Sequence, residues 1–284
     1  MRQKLLWISS AAAVLALGFG GGYLARGPAE VSEAELLIRS ARVLWGLTLT
    51  TPQLQLMTED LKDNLKAYAA IRRESIPNDL LPALEFHPRG AAPPVPAAAA
   101  PPTGRRFTRP TNIEELAFRP VTELAELVRT RQVTSMELTE MYLARLKRHD
   151  AQLHCVVTLT ETLAREQARR ADAEIAAGRW RGPLHGIPYG AKDLLAVPGY
   201  PTTWGTTPYR DQVLADTATV VRRLEEAGAV LVAKLTLGEL AWGDVWFGGQ
   251  TRNPWNLKEG SSGSSAGSAA ATAAGLVGFA IGTE

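Results

Sequence analysis

The run Glu259-Gly-Ser-Ser-Gly-Ser-Ser-Ala-Gly-Ser-Ala-Ala-Ala-Thr-Ala-Ala-Gly275 constrains this chain more than any other stretch. Gly260, Gly263 and Gly267 are interleaved with Ser261, Ser262, Ser264, Ser265 and Ser268. Composition of this kind usually marks a flexible linker. The residues C-terminal to the loop argue against a linker here. Ala269-Ala270-Ala271 is a strong helix former, and Leu276 to Ile281 is apolar and strand-like. A Gly/Ser loop that feeds a buried helix and strand offers hydroxyls, close backbone approach and unpaired N–H donors. That is a place for chemistry, and the rest of the chain is read as its support.

Several function classes fall away on composition. A formal net charge of +2 over 284 residues gives no argument for nucleic acid, and no basic run with interleaved aromatics appears. The lone cysteine, Cys155, excludes an internal disulfide framework and any multi-cysteine zinc site. It lies in His154-Cys-Val-Val-Thr-Leu159, which reads as a strand with a core cysteine rather than a nucleophile. His87, His149, His154 and His185 show no metal-ligand spacing, so neither a metal nor a cofactor is expected. With 45% apolar residues, a globular body is expected.

Taken in order, residues 1–30 read as a signal peptide or membrane anchor. Arg2 and Lys4 precede an uncharged stretch from Leu5 to Ala25, long enough as a helix to match a ~30 Å bilayer core. Cleavage near Gly22 and retention as an anchor both fit, and either predicts an exported, extracytoplasmic or membrane-anchored protein. Residues 31–87 read as a helical extension. Ser32 and Glu35 form a capping-box pattern, with Leu36, Leu37, Val43, Leu44 and Leu47 as the apolar face. Thr51-Pro52 opens a second helix carrying Leu54, Met57, Leu61, Leu65 and Tyr68. Residues 88–110 are a Pro/Ala-rich linker. From residue 111 helices alternate with apolar strands, as at Ala218–Ala227 followed by Ala229-Val-Leu-Val-Ala233, and an α/β domain is expected over 111–284.

Lys192 is the second candidate for chemistry. It ends Gly182-Pro-Leu-His-Gly-Ile-Pro-Tyr-Gly-Ala-Lys-Asp193, a rigid and apolar approach. Burial there disfavours the charged amine, and moving it from about 10.4 to near 7 takes roughly 4–5 kcal/mol of differential desolvation. A lysine so placed can act as a general base. Asp193 is its neighbour and, as the competing reading, holds Lys192 charged. A buried lysine together with a Gly/Ser loop suggests Ser–Lys nucleophilic catalysis. Neither a G-x-S-x-G elbow with His and Asp partners nor a phosphate-binding loop is present.

Two blocks make the chain from about residue 111 onward resemble the amidase signature family. They are the lysine block Gly182 to Asp193, followed by Thr202-Thr-Trp-Gly205, and Asn253-Pro-Trp-Asn256, followed by Gly263-Ser-Ser-Ala-Gly-Ser-Ala-Ala-Ala-Thr-Ala-Ala-Gly275. The resemblance implies an α/β fold with a mixed β-sheet flanked by helices. It also implies hydrolysis or transfer at a small carboxamide through a Ser–Ser–Lys triad, with no cofactor. Lys192 matches the base. Ser264 matches the bridging serine, after a cis Gly263-Ser264 bond. The family's nucleophile sits four positions beyond the acidic residue of a Gly-Thr-Asp/Glu motif. Here Gly282-Thr-Glu284 begins that motif, which puts the nucleophile at position 288, outside the given residues. The given chain therefore reads as a truncated, inactive amidase fragment.

Two rivals share these features. One is an A-type subunit of a tRNA-dependent amidotransferase, and the other is a catalytically inactive, membrane-associated remnant. Trp242, Trp246 and Phe247 are either pocket-lining or packed. Membrane contact is expected only through residues 5–25, and the sequence sets no oligomeric state.

Overall fold

The computed structural model describes residues 33–77, 80 and 107–284. The backbone divides into two compact units, Met1–Ala97 and Ala98–Glu284. The sequence-based bounds at 30, 87 and 110 fall in or beside stretches outside the described residues.

The first unit is a pair of packed helices, α1 (Glu33–Leu44) and α2 (Thr51–Ile71). The second is capped one residue earlier than Thr51-Pro52 suggests, because Thr50 is its N-cap and its N–H donates to Gln53 Oε1 at 2.8 Å. Most of the apolar side chains marked on the two helices are not inside. Ile38 and Leu54 are buried, whereas Leu36, Val43, Leu44 and Leu47 are exposed. Two helices share only one narrow seam, so a wide apolar stripe exceeds what they can cover between themselves.

The second unit is built on four strands: β1 (Val156–Leu159), β2 (Pro188–Lys192), β3 (Val230–Leu235) and, after two short hairpins, a last strand Phe279–Ile281. The hairpins are β4 (Val245–Trp246) with β5 (Gly249–Gln250), and β6 (Arg252–Asn253) with β7 (Asn256–Gly260), which makes the last strand β8. The sheet order is β1-β3-β2-β8. β2 runs parallel to both β3 and β8, and β1 is antiparallel to β3, so the sheet is mixed.

Helices α3 (Val121–Arg129), α4 (Ser135–Leu153), α5 (Glu161–Ala176), α6 (Thr219–Glu226) and α7 (Ala266–Ala273) surround the sheet. Alternation along β3 shows why the run Val230 to Ala233 is apolar on both faces. Val230 and Val232 join a core with Leu143 and Leu146 of α4 and Ala168 of α5, while Leu231 packs with Val221 and Leu224 of α6.

The Ala-rich run is α7, and its smallness is what lets it approach the sheet. Ala266, Gly267, Ser268, Ala270 and Ala271 are all buried. A Cβ on Gly267 would lie 2.4 Å from both the Cys155 carbonyl oxygen and the Thr236 nitrogen. Gly275, at φ +63°, ends the helix in the left-handed conformation that glycine adopts without strain. The short side chains thus bring the Gly/Ser loop against the C-terminal end of β2.

The expectation of a membrane anchor is corrected. Among the described residues no helix is long and apolar enough to cross a membrane. Residues 5–25, which suggested it, lie outside the described residues. Length and apolar composition are required of a span but do not by themselves establish one.

Gly267→Ala should destabilise the protein by about 1–3 kcal/mol, because the added methyl meets backbone rather than a movable side chain. Urea unfolding of the two proteins in parallel measures this.

Candidate active site

Lys192 is the last residue of β2 and is fully buried. Its Nζ donates to Ser264 Oγ at 2.9 Å, to Ser265 Oγ at 2.9 Å and to Thr283 Oγ1 at 2.7 Å. The two serines come from the start of α7, and the threonine from the segment after β8. Three elements distant in sequence therefore converge on one amine. Burial pushes the Lys192 pKa down, and the Glu284 carboxylate opposes that shift.

The three hydroxyls are not equivalent. Ser265 Oγ donates its hydrogen to the Thr283 carbonyl at 3.2 Å and accepts the Thr283 N–H at 3.1 Å. With its proton committed, Ser265 can only accept from Lys192. Among the described residues Ser264 Oγ has no such second partner, so its proton is available to a neutral Lys192 amine. The sequence suggests that Ser265 caps or packs the helix start. It occupies the N-cap position of α7 but makes no side-chain cap bond, and its hydroxyl serves the lysine instead. Ser268 is buried and donates its hydroxyl to the Ile281 carbonyl at 3.0 Å.

The backbone around Ser264 is held from several sides. The Gly263–Ser264 peptide bond is cis. Gly238 N–H donates to the Ser264 carbonyl at 3.2 Å. A Cβ on Gly263 would fall 1.8 Å from the Gly243 carbonyl oxygen, so only glycine fits there. Ser262 sits at φ +62°, and its N–H donates to Asp244 Oδ2 at 2.9 Å.

Asp193 does not hold Lys192 charged. Its Oδ1 lies 2.6 Å from Lys234 Nζ, with both side chains fully buried. Its Oδ2 accepts the Thr203 N–H at 2.8 Å and the Thr203 hydroxyl at 2.5 Å. Sequence reasoning missed Lys234, Thr283 and the role of Ser265. A signal for Lys234 was present, since a lysine directly after Ala229-Val-Leu-Val-Ala233 must find a buried partner.

The other candidates lie elsewhere. Trp242 is 86% exposed, and Trp246 and Phe247 pack edge-to-face at 4.7 Å. Cys155 is buried in the core, where burial and the nearby Asp150 raise its thiol well above the usual range. Among the described residues no group of three His, Cys, Asp or Glu side chains could hold a metal ion. His87 lies outside the described residues.

Known proteins share this arrangement of sequence and fold. The Amidase family profile matches residues 137–284, just over half of the chain. This chain belongs to the Amidase family. A putative amidase, AmiD, of Mycobacterium tuberculosis is 43% identical over 165 residues, covering 58% of this chain and 35% of the relative. The A subunit of the glutamyl-tRNA(Gln) amidotransferase of Hahella chejuensis is 40% identical over 167 residues, covering 58% of this chain and 34% of that relative. The solved peptide amidase of Stenotrophomonas maltophilia superposes with a TM-score of 0.56 at 37% identity, covering 60% of this chain and 37% of that one. The chain thus spans about a third of the length of the relatives it matches. These relatives are named as amidases and amidotransferase subunits, and the expectation of an exported or anchored protein is corrected on that likeness.

Cys155 should not react with a thiol-directed disulfide reagent in the native protein. One thiol per chain should appear only on unfolding, as read by absorbance with and without denaturant.

Proposed function

We propose that this domain supplies the base and proton relay of an amidase that hydrolyses the C–N bond of a small carboxamide by a Ser–Ser–Lys mechanism. The observation that carries this reading is the buried Lys192 amine, 2.9 Å from a Ser264 hydroxyl whose proton has no other acceptor among the described residues. No serine of the described residues besides Ser264 and Ser265 bonds to Lys192. We assign the attacking hydroxyl to the serine that the family motif places four positions beyond Glu284, at position 288.

In the first half of the reaction the nucleophile adds to the substrate carbonyl carbon. Its proton passes to Ser264 Oγ as the Ser264 proton passes to Lys192 Nζ. When the C–N bond breaks, the same proton returns from Lys192 through Ser264 to the departing nitrogen, leaving an acyl-enzyme. Water then repeats the sequence and releases the acid. The lysine must begin neutral, and desolvation at the end of β2 favours that form.

Hydrolysis of simple arylamides by protein that includes position 288 tests this. Lys192→Ala and Ser264→Ala should each lower kcat/KM by about 10²–10⁴. The rate should rise with pH through a pKa below the ordinary lysine value, because protonated Lys192 cannot accept a proton and burial lowers that pKa. The 284-residue chain is assayed alongside it. Turnover by that chain, abolished by Ser265→Ala, would instead make Ser265 the nucleophile. Ammonia release from glutamine only in the presence of partner subunits would point to an amidotransferase.

A further inference from the structure

The buried pair Lys234–Asp193 lies outside the proton path from nucleophile to Lys192, yet it adjoins the base in sequence and in the sheet. The β2–β3 register sets Lys234 beside Ala191, and Leu235 beside Lys192. Side chains alternate between faces along a strand. Lys234, Ala191 and Asp193 therefore share one face, and Lys192 points to the other, where α7 lies. On its face Lys192 meets the hydroxyls of Ser264, Ser265 and Thr283, with Glu284 the carboxylate acting on it. On the opposite face Lys234 Nζ reaches Asp193 Oδ1 at 2.6 Å, the Pro201 carbonyl at 2.8 Å and Thr202 Oγ1 at 3.2 Å.

We propose that Lys234 is a positioning residue for Lys192: it closes Asp193 into a charge-neutral buried pair, so that the carboxylate next to the base in sequence puts no net charge on its amine. Without a cation opposite it, Asp193 would be an uncompensated anion in a poorly screened interior, one residue from a lysine that must shed its proton. A buried ion pair seldom adds stability over apolar residues of the same volume, so its presence here calls for a different role. The pair also fixes where Lys192 points. The Asp193 N–H donates to the Leu235 carbonyl at 2.9 Å, and the carboxylate is held by the ion pair with Lys234 at Oδ1 and by two hydrogen bonds from Thr203 at Oδ2. This inference rests on reading Lys192 as the base.

The test is titration of the Lys192 amine in the full chain by lysine-selective NMR of Cε and Nζ, assigned with Lys192→Arg. Lys234→Met leaves a net negative charge and should raise the Lys192 midpoint by about 0.5 pH unit or more. Asp193→Asn leaves a net positive charge and should lower it. The double variant is neutral and should return it to the wild-type value. Opposite signs with recovery are the signature of charge balance. Shifts of the same sign, no shift in either variant, or a displaced midpoint in the double variant overturn the proposal, since each describes a pair that only props up the loop. If one single variant does not fold, the sign of the shift in the other, with recovery in the double variant, decides by the same criterion. The wild-type midpoint tests Lys192 as the base separately, because the pair is judged only on differences from it.

Discussion

A primary amine buried against three hydroxyls is the constraint around which this domain is arranged. Lys192 needs donors and acceptors that satisfy it without a carboxylate close enough to keep it charged. Ser264, Ser265 and Thr283 provide them, at 2.7–2.9 Å. The internal bonding of Ser265 and Thr283 gives the shell a direction. Ser264 keeps its proton free for the amine, and the relay is assigned to it for that reason.

Bringing those hydroxyls to the end of β2 is a packing problem, and small residues solve it. A helix with a larger residue at position 267 could not seat its first turn against the Cys155 carbonyl and the Thr236 nitrogen. A larger residue at position 263 would collide with Gly243. The Ala-rich composition that resembles low complexity in the sequence is therefore a close-contact surface. The buried strand β3, apolar except for Lys234 and covered by α6 on one face and by α4 and α5 on the other, supplies the rigid floor.

Much of this was legible in the sequence. The apolar run ending at Ala233, the helix after the Gly/Ser loop and the glycines closing the helices all obey local rules. Lys192 stands out because its surroundings are unusual for a lysine, whereas Ser264 is singled out among the loop serines only by the resemblance to the amidase signature. What escaped was relational. Asp193 looks like a partner for Lys192 because adjacency in sequence is visible and alternation across a strand end is not. Lys234, which claims Asp193, lies 41 positions away. Ser265 has the right residue type for a cap, and only the return of Thr283 beside it redirects its hydroxyl. In the helical pair, periodicity marks the apolar positions but not how few of them two helices can enclose.

The most direct measurement is the ionisation midpoint of the Lys192 amine in the folded chain, followed by lysine-selective NMR across alkaline pH. A midpoint clearly below the ordinary lysine value of about 10.4 is expected. It should climb back towards that value when the fold is lost. A midpoint at or above 10.4 in the folded protein would contradict a lysine base, and would make Lys192 a structural cation holding the three hydroxyls in place.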